Sequence, residues 1–148
     1  MFITMNNGYY TLPLRPDKLM KGEPQEQCSL DTSITQYVHL IITTAFGEMQ
    51  QDESFGCGIW DTDFDNLVAN NKIRERIKTS VYHSVTGYEK RLQQVKVEVF
   101  VKEEELPARI NGRQVKKRLD IQLTAVNRLT NEPFVFRDSF YTGPLSYY

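Results

Sequence analysis

The chain has 148 residues, 40% of them hydrophobic and 25% charged, which suits one domain, residues 1–148, with a real core. Its 18 Lys+Arg against 19 Asp+Glu leave a net charge of −1. That balance argues against a dedicated nucleic-acid binder and against attraction to an anionic membrane surface.

Residues 1–30 lack helical periodicity and contain Pro13, Pro16, Gly22 and Pro24, so they read as an extended N-terminal segment. The opening MFITMNNGYYTLPLRP has no basic start followed by an apolar stretch and is not read as a secretory signal. Tyr9–Leu14 can be a short extended piece, and Asp17–Gln27 reads as a polar loop. Cys28 and Cys57 are the only cysteines; they lack the short spacing of a disulfide scaffold or a metal site, and two reduced thiols in a cytoplasmic protein are expected.

A helix is predicted over about Asp31–Phe46, because Ile34, Tyr37, Val38, Ile41, Ile42 and Ala45 fall on one face. Asp31 or Ser33 can cap it, Ser33 and Gln36 fit a capping box, and Gly47 can end it in a left-handed conformation. His39 falls beside the apolar stripe and reads as a solvated residue. The longest apolar pattern, about Val38–Phe46, is far too short to span a bilayer. Gly56-Cys57-Gly58 then lacks the further glycine and Lys-Ser/Thr of a phosphate loop. It reads instead as a tight turn that brings Phe55, Ile59 and Trp60 into the core.

A second helix is predicted over about Lys72–Thr86, capped by Asn70 or Asn71, with Ile73, Ile77, Val81, Val85 and Tyr88 as its apolar face. Lys72, Arg74, Arg76 and Lys78 crowd its first half, where cations oppose the helix macrodipole. A solvated face and a patch for an acidic partner are both open readings. Nothing identifies His83 as a ligand or a base. Gly87 marks the end of this helix. Val95, Val97, Val99 and Val101 then alternate in a half-buried strand, answered by Leu119, Ile121, Leu123 and Ala125.

Asn111-Gly112 signals a two-residue hairpin turn, but that register would put the two apolar sets on opposite faces. A bulge near Pro107 is therefore expected, pairing Val99 with Leu123. A third strand, about Phe134–Tyr141, follows Thr130-Asn131-Glu132-Pro133, with Phe140 opposite Leu123 and Asp138 on the apolar side. The charged runs Lys102–Glu105 and Arg113–Arg118 would keep a long hairpin soluble until it pairs, or merely solvate it. The aromatic tail, residues 142–148, reads equally as a flexible end or as an anchor for a partner. The predicted architecture is α+β: two amphipathic helices packed on a small, mainly antiparallel sheet with a long bulged hairpin.

Two local motifs carry a family resemblance over roughly residues 9–125. One is Phe55-Gly56-Cys57-Gly58-Ile59 after the first helix; the other is Glu89-Lys90-Arg91 at the entrance to the valine strand. With these the chain resembles the phage baseplate-wedge family that includes the TssE protein of type VI secretion systems. Lys90 stands where that family has proline, which removes a fixed backbone angle, and Met49 stands where it usually has a basic residue.

The resemblance implies a cytoplasmic, non-enzymatic structural protein without cofactor or metal. Such a protein is present in several copies in a contractile injection machine, links wedge proteins to the first sheath ring and templates sheath assembly. It carries polar inter-subunit contacts over to Glu89 and Arg91, and on that reading charge reversal at Arg91 spares folding but blocks incorporation. Gly47, Phe55, Gly56, Gly58 and Trp60 brace the turn. The rival is a glycan hydrolase, since phage relatives have been described as tail lysozymes. That chemistry needs two carboxylates at a set spacing, and Glu48, Asp52, Asp61 and Asp63 are the candidates.

Overall fold

Two amphipathic helices and three alternating strands each leave one apolar face to bury. The computed structural model, which describes residues 8–60, 70–107 and 113–142, buries those faces against one another. In chain order the elements are α1 (Pro16–Lys21), α2 (Leu30–Thr43), α3 (Asn70–Tyr88), β1 (Leu92–Pro107), β2 (Arg113–Asn127) and β3 (Pro133–Thr142). The strands form one antiparallel sheet in the order β1-β2-β3. α3 lies against β1, and α2 packs on α3. The helices contribute Ile34, Val38, Ile41, Ile42, Ile73, Ile77, Val81 and Val85 to the core; the sheet contributes Val97, Val99, Leu119, Ile121, Leu123, Phe134 and Phe136. Each such side chain stabilises the fold by about 1.5–3 kcal/mol relative to an exposed one. Among the described residues no helix is long and apolar enough to cross a membrane.

Helix boundaries shift from the sequence reading for local reasons. Residues 16–21 form α1 rather than loop: Pro16 presets the first turn and Gly22, with φ 69°, closes it in the left-handed region. α2 is capped by Ser29, whose side chain accepts from the Thr32 N–H; neither Asp31 nor Ser33 caps it. It ends at Thr44 in an extended conformation, so left-handed Gly47 (φ 79°) belongs to the following turn and not to the helix end. The described part of α3 runs from Asn70 through Gly87 to Tyr88, so Asn70 and Asn71 are helical and neither is its cap.

The β1–β2 register differs from the predicted one. The ladder runs unbroken from Lys96↔Thr124 to Pro107↔Arg113 and pairs Val99 with Ile121 and Val97 with Leu123. No bulge occurs at Pro107. The pairing centres on residue 110 and not between Asn111 and Gly112; residues 108–112 themselves lie outside the described part. The odd number of linking residues keeps both apolar sets on one face. The bulge sits instead at the start of β1, where Gln94 and Val95 stand opposite Ala125 and Gln94 takes φ 53°. It switches the core-facing parity, so Leu92 and Val97 are both buried.

β3 keeps the predicted face but slides by four residues: Phe140 pairs with Leu119, and Phe136 with Leu123. The turn is earlier because Asn127, 1% exposed, organises it: its side-chain oxygen accepts from Leu129 N–H at 2.9 Å, and its own N–H donates to the Glu132 carbonyl at 2.8 Å. Asp138 does fall toward the helices, where it meets His39 of α2.

Candidate functional site

Tyr88 ends α3, and within four residues the chain enters β1. The Glu89 N–H still donates to Val85 O, extending the helical pattern, and Glu89 is turned inward to 2% exposure. A carboxylate so buried needs partners, and Arg91 supplies three. Its Nε and Nη2 donate to the two Glu89 oxygens, each at 2.8 Å, and its backbone N–H donates to Oε1 at 3.0 Å. The guanidinium also donates from Nη1 to Ser33 Oγ on α2 at 2.9 Å and lies 5.6 Å over the Tyr9 ring. The Glu89 carboxylate beside it raises the Arg91 pKa still further, so the arginine is permanently charged. The Arg91 carbonyl accepts from Arg128 N–H at the β2–β3 turn. One residue thus ties the N-terminal segment, α2, the helix-to-strand hinge and the far turn together.

The glycine turn joins this hinge through Tyr88. The Phe55 ring packs edge-on against Tyr88 at 4.9 Å and near Tyr37 at 6.1 Å. The Tyr88 hydroxyl donates to Asp52 Oδ2 at 2.8 Å and contacts Ser54 Oγ at 2.7 Å. The bonds from Ser54 and Tyr88 hold the Asp52 carboxyl below its ordinary range. Gly56, with φ 128°, passes so close to α2 that a Cβ would stand 2.5 Å from Thr44 O. The neighbouring Cys57 N–H donates to that same oxygen. Gly58 donates its N–H to Ser80 Oγ of α3 at 2.7 Å, and Gly47 donates to Glu53 O at 2.8 Å. Glu48 accepts from the Ala45 N–H at 2.8 Å, bracing the same turn.

Trp60 does not enter the core with Phe55 and Ile59. It remains 40% exposed, donates Nε1 to Ile42 O at 3.0 Å and meets Phe140 edge-on at 6.0 Å. Sequence reasoning missed the cluster it joins. His39 Nδ1 lies 2.7 Å from Asp138 Oδ2, and the His39 ring stacks near Phe140 at 6.5 Å. The available signal was Asp138 on the apolar parity of β3. Of the candidate carboxylates, Asp61 and Asp63 lie outside the described residues. Neither Cys28 nor Cys57 is in a disulfide, and Cys57 is buried with its Sγ 3.5 Å from Ser80 Oγ. Among the described residues no three metal-ligating side chains converge.

Both outer edges of the sheet are unpaired among the described residues, since β1 and β3 each bond only to β2. On the face away from the helices the charged runs pair within β2 and across to β1. Arg118 bonds Asp120 at 2.8 Å and Glu104 at 3.2 Å, and Lys102 lies 3.7 Å from Asp120.

A family model described as "Baseplate wedge protein gp25" matches residues 28–132, which contain α2, the glycine turn, α3, the hinge and the β1–β2 hairpin. A solved structure described as a "putative tail lysozyme" from Geobacter sulfurreducens is 26% identical, covers 83% of this chain and 100% of its own, and superposes with a TM-score of 0.59. A chain of the baseplate complex from the type VI secretion system shares the fold at 12% identity and a TM-score of 0.52, over 75% of this chain and 92% of its own. No curated protein sequence matches the chain.

Proposed function

The chain belongs to the baseplate wedge protein gp25 family and is a component of a phage-tail-like baseplate; from that premise we propose that it works there as a structural connector without enzymatic activity. On this reading several copies join wedge proteins to the first ring of sheath subunits in the cytoplasm, and each copy templates sheath assembly. The observation that carries it is the pairing of a locked hinge with open sheet edges. Buried Glu89 fixes Arg91, Arg91 fixes the angle between α3 and β1, and β1 and β3 leave backbone donors and acceptors for an added strand. The quarter of the Arg91 side chain that stays open offers its guanidinium rim to a neighbouring subunit. Glu89 acts by positioning it.

A hydrolase reading draws on the name of one structural neighbour. A general acid needs a carboxyl whose pKa is raised toward neutrality. Here Asp52 is shifted the other way, Glu48 accepts a backbone bond in its turn, and Glu89 is held by a guanidinium. These engagements favour the structural reading.

The test is complementation. Cells deleted for this chain should assemble no contractile sheaths by electron microscopy, and wild-type protein should restore them. An Arg91→Lys variant, which keeps the charge but loses the fork, should restore few. Normal sheaths without the chain, or peptidoglycan cleavage by the purified protein, would reject the proposal.

A further inference from the structure

The cations of α3 are placed against the interests of the helix itself. Its first described turn contains no acidic residue and holds Lys72, which opposes the positive end of the macrodipole, and Arg76 and Lys78 stand exposed just beyond it. Several cations elsewhere pair with carboxylates: Arg15 with Asp17, Lys18 with Glu26, Arg91 with Glu89, Arg118 with Asp120. Among the described residues of α3 there is a single ion pair, Arg74 to Glu75 at a loose 3.9 Å. α3 thus presents a run of exposed cations, largely without ion-pair partners, in a chain whose net charge is −1.

That flank also has shape. A groove of about 330 Å³ runs between α3 and β1, lined by Glu75, Lys78, Thr79, Tyr82, His83 and Val97; Lys78 is its one lysine or arginine, and Glu75 its one carboxylate, engaged with Arg74. Tyr82 is 41% exposed and meets His83 edge-on at 5.7 Å, giving the groove an aromatic wall. Val97 belongs to β1, whose outer edge is unpaired among the described residues. Lys78 in the groove, Lys72 and Arg76 exposed on the same helix, an aromatic wall and an open strand edge are complementary to a chain segment that alternates acidic and apolar side chains.

We infer that the α3 flank is a docking surface for an acidic segment of a partner protein. Its carboxylates meet Lys72, Arg76 and Lys78, and an apolar side chain lies against Tyr82 and Val97. The inference does not depend on which machine the chain serves, so its failure would leave the baseplate assignment intact. Glutamates on the partner confer register and recognition, because a like-charged segment would be repelled from the same groove.

The probe is a synthetic peptide of alternating glutamate and valine, titrated into isotopically labelled full-length protein and followed by amide NMR shifts. Shifts should concentrate on α3 residues 72–83 and on Val97, and binding should weaken as salt is raised. The triple variant Lys72→Glu/Arg76→Glu/Lys78→Glu should lose about tenfold or more in affinity, because three attractive contacts become repulsive ones. Reversing Lys21, Lys90 and Arg128 instead, an equal change in net charge, should lose far less.

Four results would overturn the inference. They are shifts mapping elsewhere; equal losses in both triple variants; tighter binding of duplex DNA than of the peptide by the same flank; or peptide binding only after Asp61, Asp63 and Asp65 are changed to Asn. The last would mean that the chain's own acidic stretch occupies the flank. The unchanged NMR spectrum of the core would certify that each variant is folded.

Discussion

Replacing Arg91 by Met removes the partner of a carboxylate whose side chain is 1% exposed. Two guanidinium bonds of 2.8 Å and the 2.9 Å bond to Ser33 disappear, and Glu89 keeps only the Arg91 backbone N–H. Breaking a fully buried ion pair costs about 3–5 kcal/mol. Arg91 is 24% exposed, so water relieves part of that penalty, and about 2–3 kcal/mol is expected. For a chain of this length that corresponds to a drop of about 5–10 °C in Tm. A second change separates lost packing from the stranded charge: Glu89→Gln in the Arg91→Met background keeps an acceptor for the backbone N–H while removing the buried charge. It should recover about 1 kcal/mol or more. Urea unfolding of wild type, single and double variants measures both steps. The geometry also revises the expectation that charge reversal at Arg91 spares folding, because Arg91→Glu would set a second carboxylate against Glu89. An Arg91→Met protein within about 0.5 kcal/mol of wild type, or a double variant no more stable than the single, would refute the reasoning.

The glycine turn and acid stability give further predictions. Gly56→Ala forces a Cβ onto Thr44 O at φ 128° and should cost about 3 kcal/mol or more, whereas Gly47→Ala, left-handed but in open space, should cost only about 1–2 kcal/mol; similar values for the two in urea titrations would contradict the close approach. The Asp52 carboxyl is lowered first by Ser54 and then by Tyr88, and Asp120 first by Ser139 and also by Arg118. Both ionised forms therefore favour the fold: their contribution is present above the ordinary value of 3.8 and is lost as pH falls below it through the lowered folded values. Asp52→Asn should flatten the fall in Tm below about pH 4; an unchanged slope would show that Asp52 is not coupled to folding.

What the sequence made legible was periodic. The 3.6-residue spacing of Ile34, Val38, Ile41 and Ile42, and the two-residue spacing of the valines, each identified a face, and those faces are buried. Register was not legible, since it was decided by single residues acting at a distance. Asn127 drew the β2–β3 turn back by two residues, which slides the register by four, and Gln94 accepted the left-handed conformation that moves the bulge to the hinge. The Glu89–Arg91 spacing marked the hinge and suits an ion pair, which forms, but it gave no sign that the arginine would also reach Ser33 and Tyr9. A two-residue separation says nothing of which side chain turns inward. The His39–Asp138 contact crosses 99 positions in the chain, so only the parity of Asp138 hinted at it.

The most direct test of the baseplate account is affinity purification of the chain from the cells that produce it, with the co-purifying proteins identified by mass spectrometry. The account predicts wedge and sheath proteins in fixed proportion with the wild-type chain, and their loss from a folded Arg91→Lys variant. Recovery of the chain alone as a monomer, with hydrolysis of purified peptidoglycan, would contradict it.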